Sequence, residues 1–224
     1  MAERVNSGKH TQVQARARTL LLPREHGTYG EVLFPLLSAL ALGEANRAAW
    51  GLSLVALAGF LAHEGFVVLL GSRGARARRD ASSAAWRSVG LFAAVAVAGA
   101  ALAWPGLTRP AAQGLGLATA LSAAAMAVAW LGRERSLAGE LLAALALTSW
   151  SVPVALAGAV AAGTTLIVWA IWCVVYGLST VIVHAVIAGT IRRGPLTARR
   201  LRAIGWSIVG VSAATLLLIW LAFR

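Results

Sequence analysis

Charged residues are scarce in this chain, and acidic residues are the scarcest. Only 12% of the 224 residues are charged, with eight Asp and Glu against twenty Lys and Arg. A soluble domain usually contains about 25% charged residues. The charges are also clustered, which leaves apolar tracts longer than the roughly 18 residues that mark a membrane-spanning helix. This composition excludes an ordinary soluble domain and predicts an integral membrane protein.

The chain has a single cysteine, and no secretory signal is recognisable before its first apolar tract. Cys173 is the only cysteine, so no intrachain disulfide can form. The residues before the first apolar tract are polar and basic, without the apolar region and cleavage site of a signal peptide. We therefore expect the first tract to remain as a membrane span.

The apolar tracts predict an all-α, polytopic transmembrane bundle of about seven spans. The predicted spans are Tyr29–Leu42, Gly51–Leu70, Ser88–Trp104, Gly114–Leu131, Leu137–Val160, Thr165–Ile191 and Ala203–Phe223. A basic cytoplasmic arm, residues 1–28, precedes a single transmembrane domain, residues 29–224. The first span is short for a hydrocarbon core of about 30 Å.

The distribution of basic residues predicts the orientation of the bundle. Short cytoplasmic loops of membrane proteins collect Lys and Arg. With the N-terminus inside, only Arg47, Arg109 and Arg224 of the twenty basic residues lie outside. We therefore predict a multi-pass membrane protein with its N-terminus in the cytoplasm and its C-terminus outside. The net charge of +12 then reflects topology, and we expect the lipid bilayer, rather than nucleic acid, as the partner.

Ionisable side chains within the spans are the candidate functional residues, since such groups are costly in a bilayer and usually face a bundle interior or cavity. All of them fall in the predicted cytoplasmic halves of their spans. The candidates are Glu31, His63, Glu64, Glu140 and His184. Tyr176 joins them because Trp172, Tyr176, Thr180 and His184 recur every four residues along one helical face.

Each candidate also has a structural interpretation. Glu31 and Glu140 lie near helix N-termini, where the helix dipole favours a carboxylate. His184 is compatible with a packing role between helices, and the arginine-rich loops with a purely topogenic one. Glu64 is the strongest functional candidate, because at its depth a carboxylate must be protonated or paired with a cation such as His63, Arg73 or a ligand.

One segment resembles a known family. Residues Leu22-Pro23-Arg24-Glu25-His26-Gly27-Thr28-Tyr29-Gly30, followed by Leu33-Phe34-Pro35, resemble the opening signature of YwiC-like bacterial membrane proteins. His63-Glu64-Gly65, leading into the arginine-rich segment after Leu70, resembles another segment of that family. Glu31 departs from the pattern, where an apolar residue is usual. The resemblance implies a bacterial inner (cytoplasmic) membrane as the location, but the family supplies no biochemical activity to transfer.

The helix layout is also similar to that of UbiA-type prenyltransferases, which hold Mg²⁺ and a prenyl diphosphate with two aspartate-rich motifs. Asp80 is the only aspartate of this chain, so ordinary Mg²⁺-dependent prenyl transfer is not expected. Histidine and glutamate suit Zn²⁺ or Fe better.

The sequence thus predicts a polar cavity that opens to the cytoplasm. It specifies neither a cofactor nor an oligomeric state. Its lining would be Glu31, His63, Glu64, Tyr176 and His184, with Arg24, His26 and Arg73 at an anion-attracting mouth. Three functions stay open: a divergent UbiA-like transferase acting on a lipid-like or anionic substrate, a transporter or a factor that supports one, and a haem or metal carrier that uses His63 and His184.

Overall fold

The described part of the protein is a bundle of α-helices, most of which are joined by short turns. The computed structural model describes residues 20–23, 26–193 and 198–224. The helices in this part of the chain are α1 (His26–Leu42), α2 (Arg47–Leu69), α3 (Ala75–Ala103), α4 (Arg109–Trp130), α5 (Leu137–Ser149), α6 (Ser151–Ala157), α7 (Ala162–Arg193) and α8 (Ala198–Phe223), with one 3₁₀ turn at Trp104–Gly106. The described residues contain no strand. The predicted all-α bundle is confirmed.

The helices have the length and apolarity of membrane spans. Six stretches within the described residues are long and apolar enough to cross a membrane, with α5 and α6 together forming one of them (Leu137–Ala157). The shorter α1 has 17 residues and rises about 25 Å. Large apolar side chains such as Trp104 (77% exposed) and Leu131 (72%) cover the outside of the bundle. A surface of this kind fits lipid rather than water, as in a multi-pass membrane protein.

The turns divide the bundle into two ends. Because short turns join successive spans, neighbouring spans run antiparallel. The turn 70–74, the loop 131–136 and the beginning of α1 therefore lie together, and we call this the basic end. The turns 43–46, 104–108 and 158–161 lie at the opposite end. The sequence predicts that the basic end is cytoplasmic.

The helix α3 begins earlier than the sequence predicted. We expected a loop over Gly71–Arg87, but only residues 70–74 form a turn and α3 starts at Ala75. Alanine and arginine are strong helix formers, and this segment is rich in both. Hydropathy locates the membrane boundary near Ser88, whereas the helix continues beyond that boundary.

The fifth span is broken within a polar stretch that contains a proline. Pro153 has no N–H to donate to the preceding turn, and α5 ends at Ser149 before α6 begins at Ser151. The hydroxyls of Thr148, Ser149 and Ser151 donate to carbonyls one turn back, at 2.7–2.9 Å. All three side chains are buried between helices, which is where a membrane protein tolerates irregular backbone.

The orientation can be tested by cysteine labelling. In a variant with Cys173 replaced, a cysteine at Ser82 is expected to react only from the cytoplasmic side. A cysteine beside Arg224 is expected to react from outside intact cells. Labelling of both positions from the same side would disprove the predicted topology.

Candidate functional site

Three charged side chains meet at the basic end. The Arg73 guanidinium donates from Nη1 to Glu134 Oε1 at 2.8 Å and from Nη2 to Glu64 Oε2 at 3.1 Å. The side chains of Glu64, Glu134 and Arg73 are 17%, 24% and 27% exposed. We call these three residues the ion cluster. Charge-assisted hydrogen bonds of this kind are about twice as strong as neutral ones.

The turn after α2 directs Arg73 back toward its own helix. Gly71 and Gly74 have φ of +82° and +92°, a region that L-residues other than glycine rarely adopt. These two glycines reverse the chain within residues 70–74. Arg73 therefore lies beside Glu64, which α2 presents in its last turns.

The α4–α5 loop presents Glu134 from the other side. Gly132 has φ of +70°, and Ser136 caps α5 by accepting from Gly139 N–H at 3.1 Å. A Cβ on Gly139 would lie 2.4 Å from the Arg133 carbonyl oxygen, so the loop packs directly on the start of α5. The ion cluster thus joins two loops that are 61 residues apart in sequence.

A second pair of ionisable groups lies between α5 and α7. His184 Nδ1 is 3.1 Å from Glu140 Oε2, with the two side chains 30% and 41% exposed. This is a close approach rather than a directed hydrogen bond, because the ring nitrogen has no hydrogen-bond partner in suitable geometry. Glu140 also lies in the first turn of α5, where the dipole favours its charge.

The aromatic face of α7 packs on α1 at the proline of that helix. Tyr176 donates to the Gly30 carbonyl at 2.7 Å, and Trp172 Nε1 donates to Ser38 Oγ at 2.8 Å. Both aromatic side chains are fully buried, at 1% and 0% exposure. Ser38 in turn donates to the Pro35 carbonyl at 2.8 Å. The predicted four-residue stripe of α7 therefore faces the bundle interior.

The structure shows the surroundings of most of the predicted site residues. Glu64 pairs with Arg73, one of the cations that the sequence offered it. Glu31 lies close enough to Tyr176 to act on it electrostatically, and His63 is partly buried on α2. Arg24 and the side chain of His26 lie outside the described residues.

Glu134 is the residue that sequence reasoning missed. It lies between Arg133 and Arg135 in a short loop, where a charge normally faces solvent. Only the contact with Arg73 reveals a different role. No local pattern in the sequence indicated that contact.

The two histidines of the metal interpretation, His63 and His184, lie on different helices. Among the described residues, no three His, Cys, Asp or Glu side chains come close enough to hold a metal ion together. The helix of His63 packs mainly on α3, and that of His184 mainly on α5. A haem or metal carrier that uses both histidines would need them to approach within about 10 Å, and this approach is a prediction.

One small cavity lies away from these residues. It lies between α1, α6 and α7 and is lined by Ala39, Leu42, Ser151, Ala155, Val160, Thr165 and Val168. The Thr165 hydroxyl is buried there without a partner. None of the predicted cavity residues lines this space.

Comparison with known proteins identifies one match. The model of a family described as YwiC-like protein matches residues 22–155, more than half of the chain and all three residues of the ion cluster. No curated protein and no solved structure matches the chain.

Proposed function

The chain belongs to the YwiC-like protein family, and for this member we propose the function of a transporter of a small anion in a bacterial inner membrane. The anion would enter at the basic end from the cytoplasm. The ion cluster carries the proposal, because it holds a guanidinium between two loops at the predicted entrance.

Arg73 is the group that would bind the anion. Its planar guanidinium offers paired donors that match a carboxylate or a phosphate. At present those donors meet Glu64 and Glu134. An incoming anion would have to displace one carboxylate, and this exchange would separate the loop 131–136 from the turn 70–74. Ligand binding and opening of the entrance would then be the same event.

The rest of the bundle supports transport over a simple binding role. A discontinuous span with buried hydroxyls is typical of secondary transporters, whose broken helices lie near the substrate path. Here α5 and α6 form such a span. The buried polar side chains of the described core are all Ser or Thr, and several lie toward the opposite end. These hydroxyls would give a substrate polar contacts beyond the charged half.

The transferase and the haem or metal carrier are the competing functions. A UbiA-like transferase would need carboxylates grouped around Mg²⁺ and a diphosphate. Asp80 instead pairs with Arg76 at 3.6 Å on the surface, where the two side chains are 70% and 91% exposed. A haem or metal carrier would need His63 and His184 to converge. The flux and absorption measurements described below distinguish both functions from transport.

The test is anion-dependent stabilisation of the purified protein. Thermal unfolding would be followed with phosphate, diphosphate, acetate or citrate, with chloride at matched ionic strength as the reference. A ligand at 100 times its Kd stabilises the folded state by about 2.7 kcal/mol. We expect at least one of the four anions to raise the unfolding midpoint by several degrees. Failure of all four would refute the proposal.

Variants locate the effect at the ion cluster. Replacing Arg73, Glu64 and Glu134 together by Gln removes the guanidinium without leaving an unpaired charge, and is expected to abolish the stabilisation. Glu64→Gln alone is expected to tighten anion binding several-fold, since one competing carboxylate is gone. Glu140→Gln and Arg76→Gln should leave binding unchanged. If Glu140→Gln were the only variant to lose binding, the anion site would lie between α5 and α7 and not at the ion cluster.

Flux separates transport from the competing functions. Vesicles containing the protein are expected to accumulate the stabilising anion in labelled form, and the triple Gln variant should not. Covalent conversion of the anion without accumulation would establish a transferase instead. A haem-type visible absorption spectrum of the purified protein would favour the carrier.

A further inference from the structure

The helix α3 extends beyond the membrane at the basic end. Trp86 and Trp104 are 66% and 77% exposed, as expected for aromatic side chains at the two membrane surfaces. The helix between them rises about 27 Å, close to the thickness of the hydrocarbon core. The residues from Ala75 to Trp86 continue for about 16 Å past that level.

Basic side chains share one face of this extension. At 100° per residue, Arg76, Arg79, Ser83 and Arg87 fall within about 80° of one another. All four are exposed, whereas Ala85 and Ser88 on the other side are buried. We call Arg76, Arg79, Ser83 and Arg87 the arginine face. Arg76 meets Asp80, but within the described residues Arg79 and Arg87 form no ion pair.

The same face continues into the membrane as a smooth apolar surface. Gly90, Ala94 and Val97 follow Arg87 on it and are exposed. A Cβ added at Gly90 would meet nothing within 4 Å, so no helix in the described part of the chain covers this part of α3. The surface is long enough for an acyl chain to lie below the arginines.

We propose that this face binds an anionic phospholipid of the surrounding leaflet. The phosphodiester would lie between Arg79 and Arg87, which are about 12 Å apart along the helix axis. Arginine binds phosphate with paired hydrogen bonds, and the Ser83 hydroxyl between them is a further donor. Charge complementarity favours this occupant, because a membrane leaflet supplies phosphate groups at the depth of Trp86. The site is separate from the ion cluster, so it does not depend on anion transport.

The experiment compares lipid retention by mass spectrometry of the intact protein. Protein stripped of lipid would be incorporated into nanodiscs of phosphatidylglycerol and phosphatidylcholine in equal amounts, then released. We expect wild-type protein to retain phosphatidylglycerol at least five-fold over phosphatidylcholine. Arg79→Gln with Arg87→Gln should reduce that preference to less than two-fold, and 0.5 M salt should weaken it in the wild type.

The matched control removes two arginines from the other end. Arg47 and Arg109 begin α2 and α4, so Arg47→Gln with Arg109→Gln changes the net charge equally. This control is expected to keep the preference. Cysteine labelling at Ser82 verifies that each variant keeps its orientation.

Several results would overturn the proposal. These are an equal loss of preference in the control variant, the absence of any preference in the wild type, and displacement of the lipid by soluble glycerol phosphate. Retention of a second copy of the chain in place of lipid would also overturn it. A separate control is the unfolding midpoint of each double variant. If both midpoints equal that of the wild type, the loss of lipid preference reflects weaker lipid binding and not misfolding.

Discussion

Replacement of Gly51 by alanine is expected to lower the free energy of unfolding by about 2–3 kcal/mol. Gly51 on α2 lies against Gly99 on α3, and a Cβ at Gly51 would be 2.5 Å from the Gly99 carbonyl oxygen and 2.7 Å from Ala103 N. These are backbone atoms, which cannot rotate away as a side chain could. The two helices must therefore separate. For a chain of this size, the unfolding midpoint should fall by about 5–10 °C.

The same helices supply matched controls. A Cβ at Gly59 on α2 or at Gly90 on α3 meets nothing within 4 Å. Alanine there should be neutral or stabilising, since it favours a helix over glycine by about 1 kcal/mol. Gly99→Ala should resemble Gly51→Ala, because its Cβ would lie 2.7 Å from the Gly51 carbonyl oxygen. Equal behaviour of all four variants would show that α2 and α3 are not closely packed.

The spans could be predicted because hydropathy and charge are local properties of the chain. Lipid requires long apolar helices, and the basic residues cluster where the chain leaves the membrane. The break in the fifth span near Pro153 could also be expected, since proline removes a helical hydrogen bond wherever it lies inside a helix. The beginning of α3 was not foreseeable from hydropathy. A polar helix that leaves the membrane has no apolar periodicity to mark it.

The partners of the candidate residues could be predicted only in part. The depth of Glu64 required a proton or a cation, and Arg73 was among the cations named for it. Which cation it meets depends on the turn formed by Gly71 and Gly74. Glu134 and the approach of His184 to Glu140 depend on how separate helices pack. One sequence gives no measure of that packing.

Replacement of Arg73 by glutamine is expected to cost about 2 kcal/mol of folding stability. The variant leaves the carboxylates of Glu64 and Glu134 near one another, 17% and 24% exposed, without the cation that compensates them. Unpaired charges in such places cost more than the original bonds contribute. Glu64→Gln should cost less, because Arg73 keeps Glu134 as a partner. Thermal unfolding in detergent at constant pH measures both effects.

The triple variant distinguishes uncompensated charge from lost packing. When Gln replaces Arg73, Glu64 and Glu134 together, no charge is left behind, and most of the stability lost in Arg73→Gln should return. Arg76→Gln is the surface control: its partner Asp80 is 70% exposed, and exposed pairs contribute about 0–1 kcal/mol. A triple variant as unstable as Arg73→Gln would show that the guanidinium acts through its packing. The two carboxylates would then contribute little to stability. Displacement of Glu64 by an anion would in that case not release the loop that carries Glu134.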